Sequence, residues 1–137
     1  MITEDYVSFE TAKLLKEKEF YGECFSMYLT PKPHSGMGDP NEAKIAPHGR
    51  DSHYYDGYLY QCEAPTLQMA MKWLREVHKL YCDIRVGDGD FVIDIISLKD
   101  GEFGCEAAEP ESCVYPTYEE ACEAAIKYCL ENLILKL

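Results

Sequence analysis

Apolar positions recur at helical spacing in three stretches of this chain, and β-rich segments separate them. Phe9, Ala12 and Leu15 share one side of a segment that starts at Ser8, with Lys13 and Lys16 among its polar positions. Ser8 is placed to accept from the free amides of a first turn, Val7 stands where a staple residue would, and Gly22 ends the segment. A second helix is predicted from Thr66 to Leu80. Leu67, Ala70, Met71, Leu74 and Val77 make its face, and Thr66 is its cap, with Pro65 as the alternative first residue. Met69, Trp73 and Leu80 widen its apolar arc beyond one core face. A third helix begins at Thr117, with Glu120 placed to complete a capping box. Tyr118, Ala121, Cys122, Ala125, Cys129 and Leu133 form its stripe, and Glu119, Glu120, Glu123 and Lys127 face water.

Residues 24–30 read as a strand. The aromatic run Tyr54-Tyr55-Asp56-Gly57-Tyr58-Leu59-Tyr60 predicts either its own hairpin or pairing back onto 24–30. Cys82 to Val86 and Phe91 to Leu98 flank Gly87-Asp88-Gly89-Asp90, which predicts a hairpin with Asp88-Gly89 in a type I′ turn. That register sets Val86 against Phe91, Ile84 against Ile93 and Cys82 against Ile95 on one face. Arg85 against Val92 and Asp83 against Asp94 occupy the other, with Arg85 diagonal to Asp94. Cys113-Val114-Tyr115 adds a short strand.

Two copies of a start signal, Ala64-Pro65-Thr66 and Tyr115-Pro116-Thr117, divide the chain into two pseudo-repeated strand-strand-helix units. The expected fold is α+β in the order αββαββα, a single antiparallel sheet with helices packed on one face. The 137 residues suit one domain spanning 1–137. Residues 31–52, rich in proline and glycine, read as a long loop, and 99–112 as an acidic loop.

Composition narrows the class. Acidic residues number 25 against 13 basic ones, a formal net charge of -12. Eleven acids and only Lys99 as a base fall between Val86 and Ile126. Such a field disfavours direct nucleic-acid binding and anionic membranes but allows a basic protein partner. The opening Met1-Ile2-Thr3-Glu4-Asp5 lacks the basic start and apolar run of a signal peptide, and no apolar stretch suits a membrane span. The expected compartment is therefore cytoplasmic. Seven cysteines, with no CxxC pair, read as reduced and mostly buried thiols rather than a disulfide framework.

The segments Met1 through Lys16, Ala64 through Leu80 and Tyr118 through Ile134 resemble a family of short uncharacterised proteins of Bacteroides and related gut bacteria, often carried in prophages and mobile elements. The resemblance covers about half the chain and leaves out 31–57 and the acidic loop. That family has no assigned activity, so the resemblance carries over no catalytic residue. It implies a bacterial or phage cytoplasmic setting.

Candidate chemistry is sparse. His34, His48 and His53 lie in or beside the long loop with Asp39 and Asp51, without the paired Cys/His spacing of a zinc site, so no metal and no cofactor are expected. Cys24 or Cys62 near His53 would need a lowered thiol pKa, which apolar strands oppose. Asp83 and Asp94 beside Arg85 read as a surface ion cluster before they read as an acid–base pair. Gly36-Met37-Gly38 is too short for a phosphate loop. No catalytic residue is assigned. Two interaction surfaces stand out: the Met69/Trp73/Leu80 flank, and the tyrosines at 54, 55, 58 and 60. The leading expectation is a non-enzymatic domain that binds a host protein through an acidic and aromatic surface, with a homodimer also allowed. The alternative is a small anionic-ligand binder, nucleotide-like in its ligand, in which Lys32, Lys44 and Arg50 of the 31–57 loop neutralise charge.

Overall fold

Hydroxyl side chains start each of the three α-helices among the described residues. In a computed structural model, which describes residues 4–49, 53–99, 105–108 and 114–134, Ser8 Oγ accepts from the Thr11 amide at 3.1 Å and caps α1, Phe9–Glu17. Thr66 accepts from the Met69 amide at 3.2 Å at the head of α2, Leu67–Val77. Thr117 accepts from the Glu120 amide at 3.1 Å at the head of α3, Tyr118–Tyr128, which runs on into a π-helical turn at Cys129–Leu133. Each cap satisfies one amide that the first turn leaves without an intrahelical partner.

The helix ends differ from expectation. The first stops at Glu17 and turns through Glu19 at φ 64°, ahead of Gly22. The second stops at Val77, three residues short, and Lys79 at φ 57° turns the chain into β4, Leu80–Val86. Left-handed residues of this kind are usually glycine. Here they are glutamate and lysine, so the sequence carries no stop signal where the helices stop.

Among the described residues, seven strands form two antiparallel sheets rather than one, and each pseudo-repeat builds its own. The first sheet has the order β2-β1-β3, from β1 Ser26–Pro31, β2 Lys44–Pro47 and β3 Tyr58–Glu63. The aromatic run pairs back onto β1, with Thr30 opposite Leu59 and Tyr28 opposite Cys62, while residues 53–57 make the turn before it. The predicted 31–52 loop contains β2, which pairs Met27 with Ala46 and Tyr28 with Ile45. Only Ala46 of that strand is buried, so it carries almost no apolar pattern to read. The second sheet joins β4 to β5, Phe91–Ser97, and β5 in turn to β6, Cys105–Ala108, and β7, Val114–Tyr115. The strand β6 lies inside the expected acidic loop; the rest of 100–113 lies outside the described residues. The predicted hairpin register is observed, from Val86 opposite Phe91 through Cys82 opposite Ile95. Its turn is not type I′. Only Gly89 has positive φ, at 78°, whereas type I′ would require it of Asp88 as well.

The core lies around α3. Ala121, Cys122, Ala125, Ile126, Cys129 and Leu130 are fully buried, and the small ones among them let neighbouring elements approach. The helix touches α1, α2, β4 and β5, while α1 reaches β3, so the helices tie the two sheets together. Cys82, Ile93 and Ile95 form the covered face of the second sheet. On its other face Arg85 bonds Asp94 and lies 3.6 Å from Asp83, as the diagonal arrangement predicted. Cys24, Cys62, Cys82, Cys122 and Cys129 are free thiols, and Cys82 and Cys129 bring their sulfurs to 3.9 Å. Among the described residues no helix is long and apolar enough to cross a membrane.

Candidate binding groove

The segment ahead of α1 is held in place by both repeats. Val7 donates its amide to the Pro65 carbonyl at 3.0 Å, and Leu67 donates to the Asp5 carbonyl at 2.9 Å, bridging Tyr6 to Thr66. The Tyr28 hydroxyl donates to the Val7 carbonyl from the first sheet. The Ser8 amide donates to the Glu123 carboxylate on α3. Pro65 lacks an amide but offers a carbonyl, so the start signal of α2 also serves as the pairing edge for this segment.

This strap walls an open cleft of about 840 Å3. Tyr6, Leu67, Tyr115, Pro116 and Ala124 give it apolar surface, and Asp5, Glu119, Glu120 and Glu123 give it carboxylates, with Lys127 at one side. A second cleft of about 380 Å3 shares Tyr6 and is lined by Phe25, Ala64 and Met69, with Glu4 and Lys72. A smaller one of about 150 Å3 shares Asp5, Leu67 and Glu119 with the first and Glu4, Thr66 and Gln68 with the second. The shared walls make them one groove, apolar toward Phe25 and Met69 and acidic toward α3.

The charge in the groove is largely uncompensated. Lys127 is engaged by Glu10 at 3.0 Å and Glu131 at 3.8 Å, and its hydrogen bond to Glu10 raises its pKa. Lys72 lies 4.0 Å from Glu76. Glu4, Asp5, Glu119 and Glu120 form no ion pair among the described residues.

The residues singled out from sequence are not brought together. Met69 lines the groove. Trp73 is half-buried, edge-on to Phe20 at 5.4 Å and to His78 at 4.6 Å. Leu80 is buried at the start of β4 and is not on α2 at all, because the helix ends before it. The expected flank is therefore not one surface. Tyr54 and Tyr55 meet edge-on at 4.7 Å, Tyr55 donates to the Pro47 carbonyl at 2.6 Å, and the Lys44 ammonium sits 4.1 Å from the Tyr58 ring centroid. Lys32 is exposed, and Arg50 lies outside the described residues.

The remaining polar clusters lie outside this groove. Glu63 accepts from Tyr60 at 2.9 Å and contacts His48 Nε2 at 2.9 Å, and His53 lies 3.4 Å from Asp56. No group of three or more metal-ligating side chains occurs among the described residues. Burial pushes the Cys24 and Cys62 thiols up to about 11, with Glu63 adding to the rise, which suppresses the thiolate a nucleophile needs.

Sequence reasoning overlooked the strap and Phe25. The acidic run contained Glu119, Glu120 and Glu123, but nothing in the pattern showed that Tyr6 and Leu67 would stand opposite them. No protein-family model, curated protein or solved structure matches this chain.

Proposed function

We propose that this chain is a non-enzymatic protein-interaction domain that binds a partner through the groove between the strap, α2 and α3. The observation that carries this reading is an apolar-walled groove rimmed by carboxylates, of which Glu4, Asp5, Glu119 and Glu120 form no ion pair among the described residues. Apolar surface supplies affinity, and same-sign charge at its edge selects the partner and steers its approach. The resemblance to short proteins of Bacteroides prophages and mobile elements supports a bacterial host protein as that partner, met in the cytoplasm. A nucleotide-like anion is disfavoured in the groove by its carboxylates, and Lys44, one of the cations expected to receive it, is already over Tyr58. The test is affinity purification from a bacterial host lysate with the native chain and with a Tyr115→Ser/Glu120→Arg variant, followed by hydrogen exchange on the complex. A partner lost from the variant, with protection over 4–8 and 115–124, supports the reading. The same partners recovered by both chains would overturn it.

A further inference from the structure

Resting on that reading, we infer that the occupant of the groove is an extended cationic peptide segment with an apolar anchor: Lys or Arg side chains beside Asp5, Glu119 and Glu120, and a large apolar side chain between Phe25 and Met69. The groove has two chemically distinct ends. At one, Phe25 is 87% exposed, an aromatic ring that this chain leaves almost wholly in water, and Met69 offers an adaptable wall beside it. At the other, the carboxylates differ in availability. Glu123 is committed to the Ser8 amide and Lys127 to two other glutamates. Asp5, Glu119 and Glu120 form no ion pair among the described residues, so the local field stays negative.

Tyr6 stands between the two ends and lines both larger clefts. A compact ligand held by charge alone would fill the acidic end and leave Phe25 and Met69 uncovered. An extended segment carrying both features covers both. Its cations also meet the Tyr6 ring, whose face attracts an ammonium or guanidinium. A polyamine shares the charge but has no anchor for the apolar end, and a nucleic acid has the wrong sign.

The test pans a displayed library of random short peptides against the full chain and reads the composition of what is selected. Selected peptides are expected to be rich in Lys and Arg, poor in Asp and Glu, and to carry a large apolar residue. Binding of a synthesised selected peptide is expected to weaken about tenfold in Glu119→Gln/Glu120→Gln and to fall with added salt. Phe25→Ser should weaken it by a similar factor without disturbing the fold, since that ring is already in solvent. Groove-dependent peptides without positive charge would overturn the cationic occupant while leaving the interaction reading intact. Failure to select any groove-dependent peptide would overturn the peptide occupant, while the interaction reading stands or falls on the purification above. Displacement of the peptide by spermine, together with an affinity unmoved by Phe25→Ser, would reassign the acidic end to polyamines and overturn the peptide.

Discussion

Glu123 on α3 accepts the backbone amide of Ser8 through both carboxylate oxygens, at 3.1 and 3.2 Å. In a capping box, a side chain within the same helix returns to the cap amide. Here a glutamate more than a hundred residues away does so, and the contact locks the strap against the third helix. It also places a negative charge at the amino end of α1, where the helix dipole favours one. Glu123→Ala should therefore lower stability by about 1 kcal/mol, a charged hydrogen bond discounted for partial exposure. Glu123→Gln keeps an acceptor and should lose less. Urea unfolding of the three proteins checks the order; an alanine variant as stable as the parent would remove this contact from the account.

Lys79 offers a gain instead of a loss. It sits at φ 57°, and its carbonyl accepts from Leu98 at 2.7 Å, so the turn from α2 into β4 is fixed. A side chain in that conformation costs about 1 kcal/mol that glycine avoids, against a smaller loss from the freer unfolded chain. Lys79→Gly should raise stability by about 0.5 kcal/mol. A melting temperature that falls in this variant would mean that the lysine side chain contributes more than its backbone costs.

The same residue explains where the sequence could be read and where it could not. Starts were legible because Ser8, Thr66 and Thr117 cap through their own side chains, a local chemistry. The register of the second hairpin was legible because a one-residue slip would turn Ile93 and Ile95 out of the core. Stops were not legible, since Glu19 and Lys79 take left-handed conformations that glycine usually supplies. Nor was the division into two sheets, because strand alternation states which face is buried and not which strand lies beside it. For the site, the acidic half was visible as the run containing Glu119, Glu120 and Glu123. The strap was not, for Tyr6 and Leu67 meet only through long-range pairing. Trp73 and Leu80 looked like surplus surface because the helix was expected to run on to residue 80; once it ends at Val77, both residues have packing partners in the fold.

Buried thiols set an alkaline limit on stability. Burial pushes Cys62 and Cys122 from 9.0 up to about 11, and Cys129 rises as well through its contact with Cys82 and its burial. Below the unfolded pKa both states hold the proton and the contribution is complete. Above it the unfolded chain releases protons that the folded chain keeps, so stability falls as pH rises toward about 11. Urea midpoints at about pH 8 and about pH 10.5 should show the decline, and it should be shallower in Cys62→Ala/Cys122→Ala when each protein is compared with itself. Equal slopes for parent and variant would place the alkaline loss on other groups.

The single tryptophan reports on a half-buried imidazole. Trp73 lies edge-on to His78 at 4.6 Å, and His78 Nε2 is buried with no hydrogen-bond partner among the described residues. Protonation would create a cation there without an acceptor, so burial, and next the nearby Lys99, hold its pKa below the ordinary 6.5. The carboxyl end of α2 favours the cation and opposes this, but its field is weakened by solvent at the helix end. An imidazolium quenches a neighbouring indole, whereas neutral imidazole does so far less. Trp73 fluorescence should therefore stay high through neutral pH and drop with a midpoint below 6.5, and His78→Gln should abolish the step. The linked stability runs the same way. A depressed histidine contributes fully above its unfolded pKa, and that contribution is lost as pH falls through the folded one. A midpoint at or above 6.5 would show that the helix end outweighs burial, and it would reverse the sign of His78's share of acid stability.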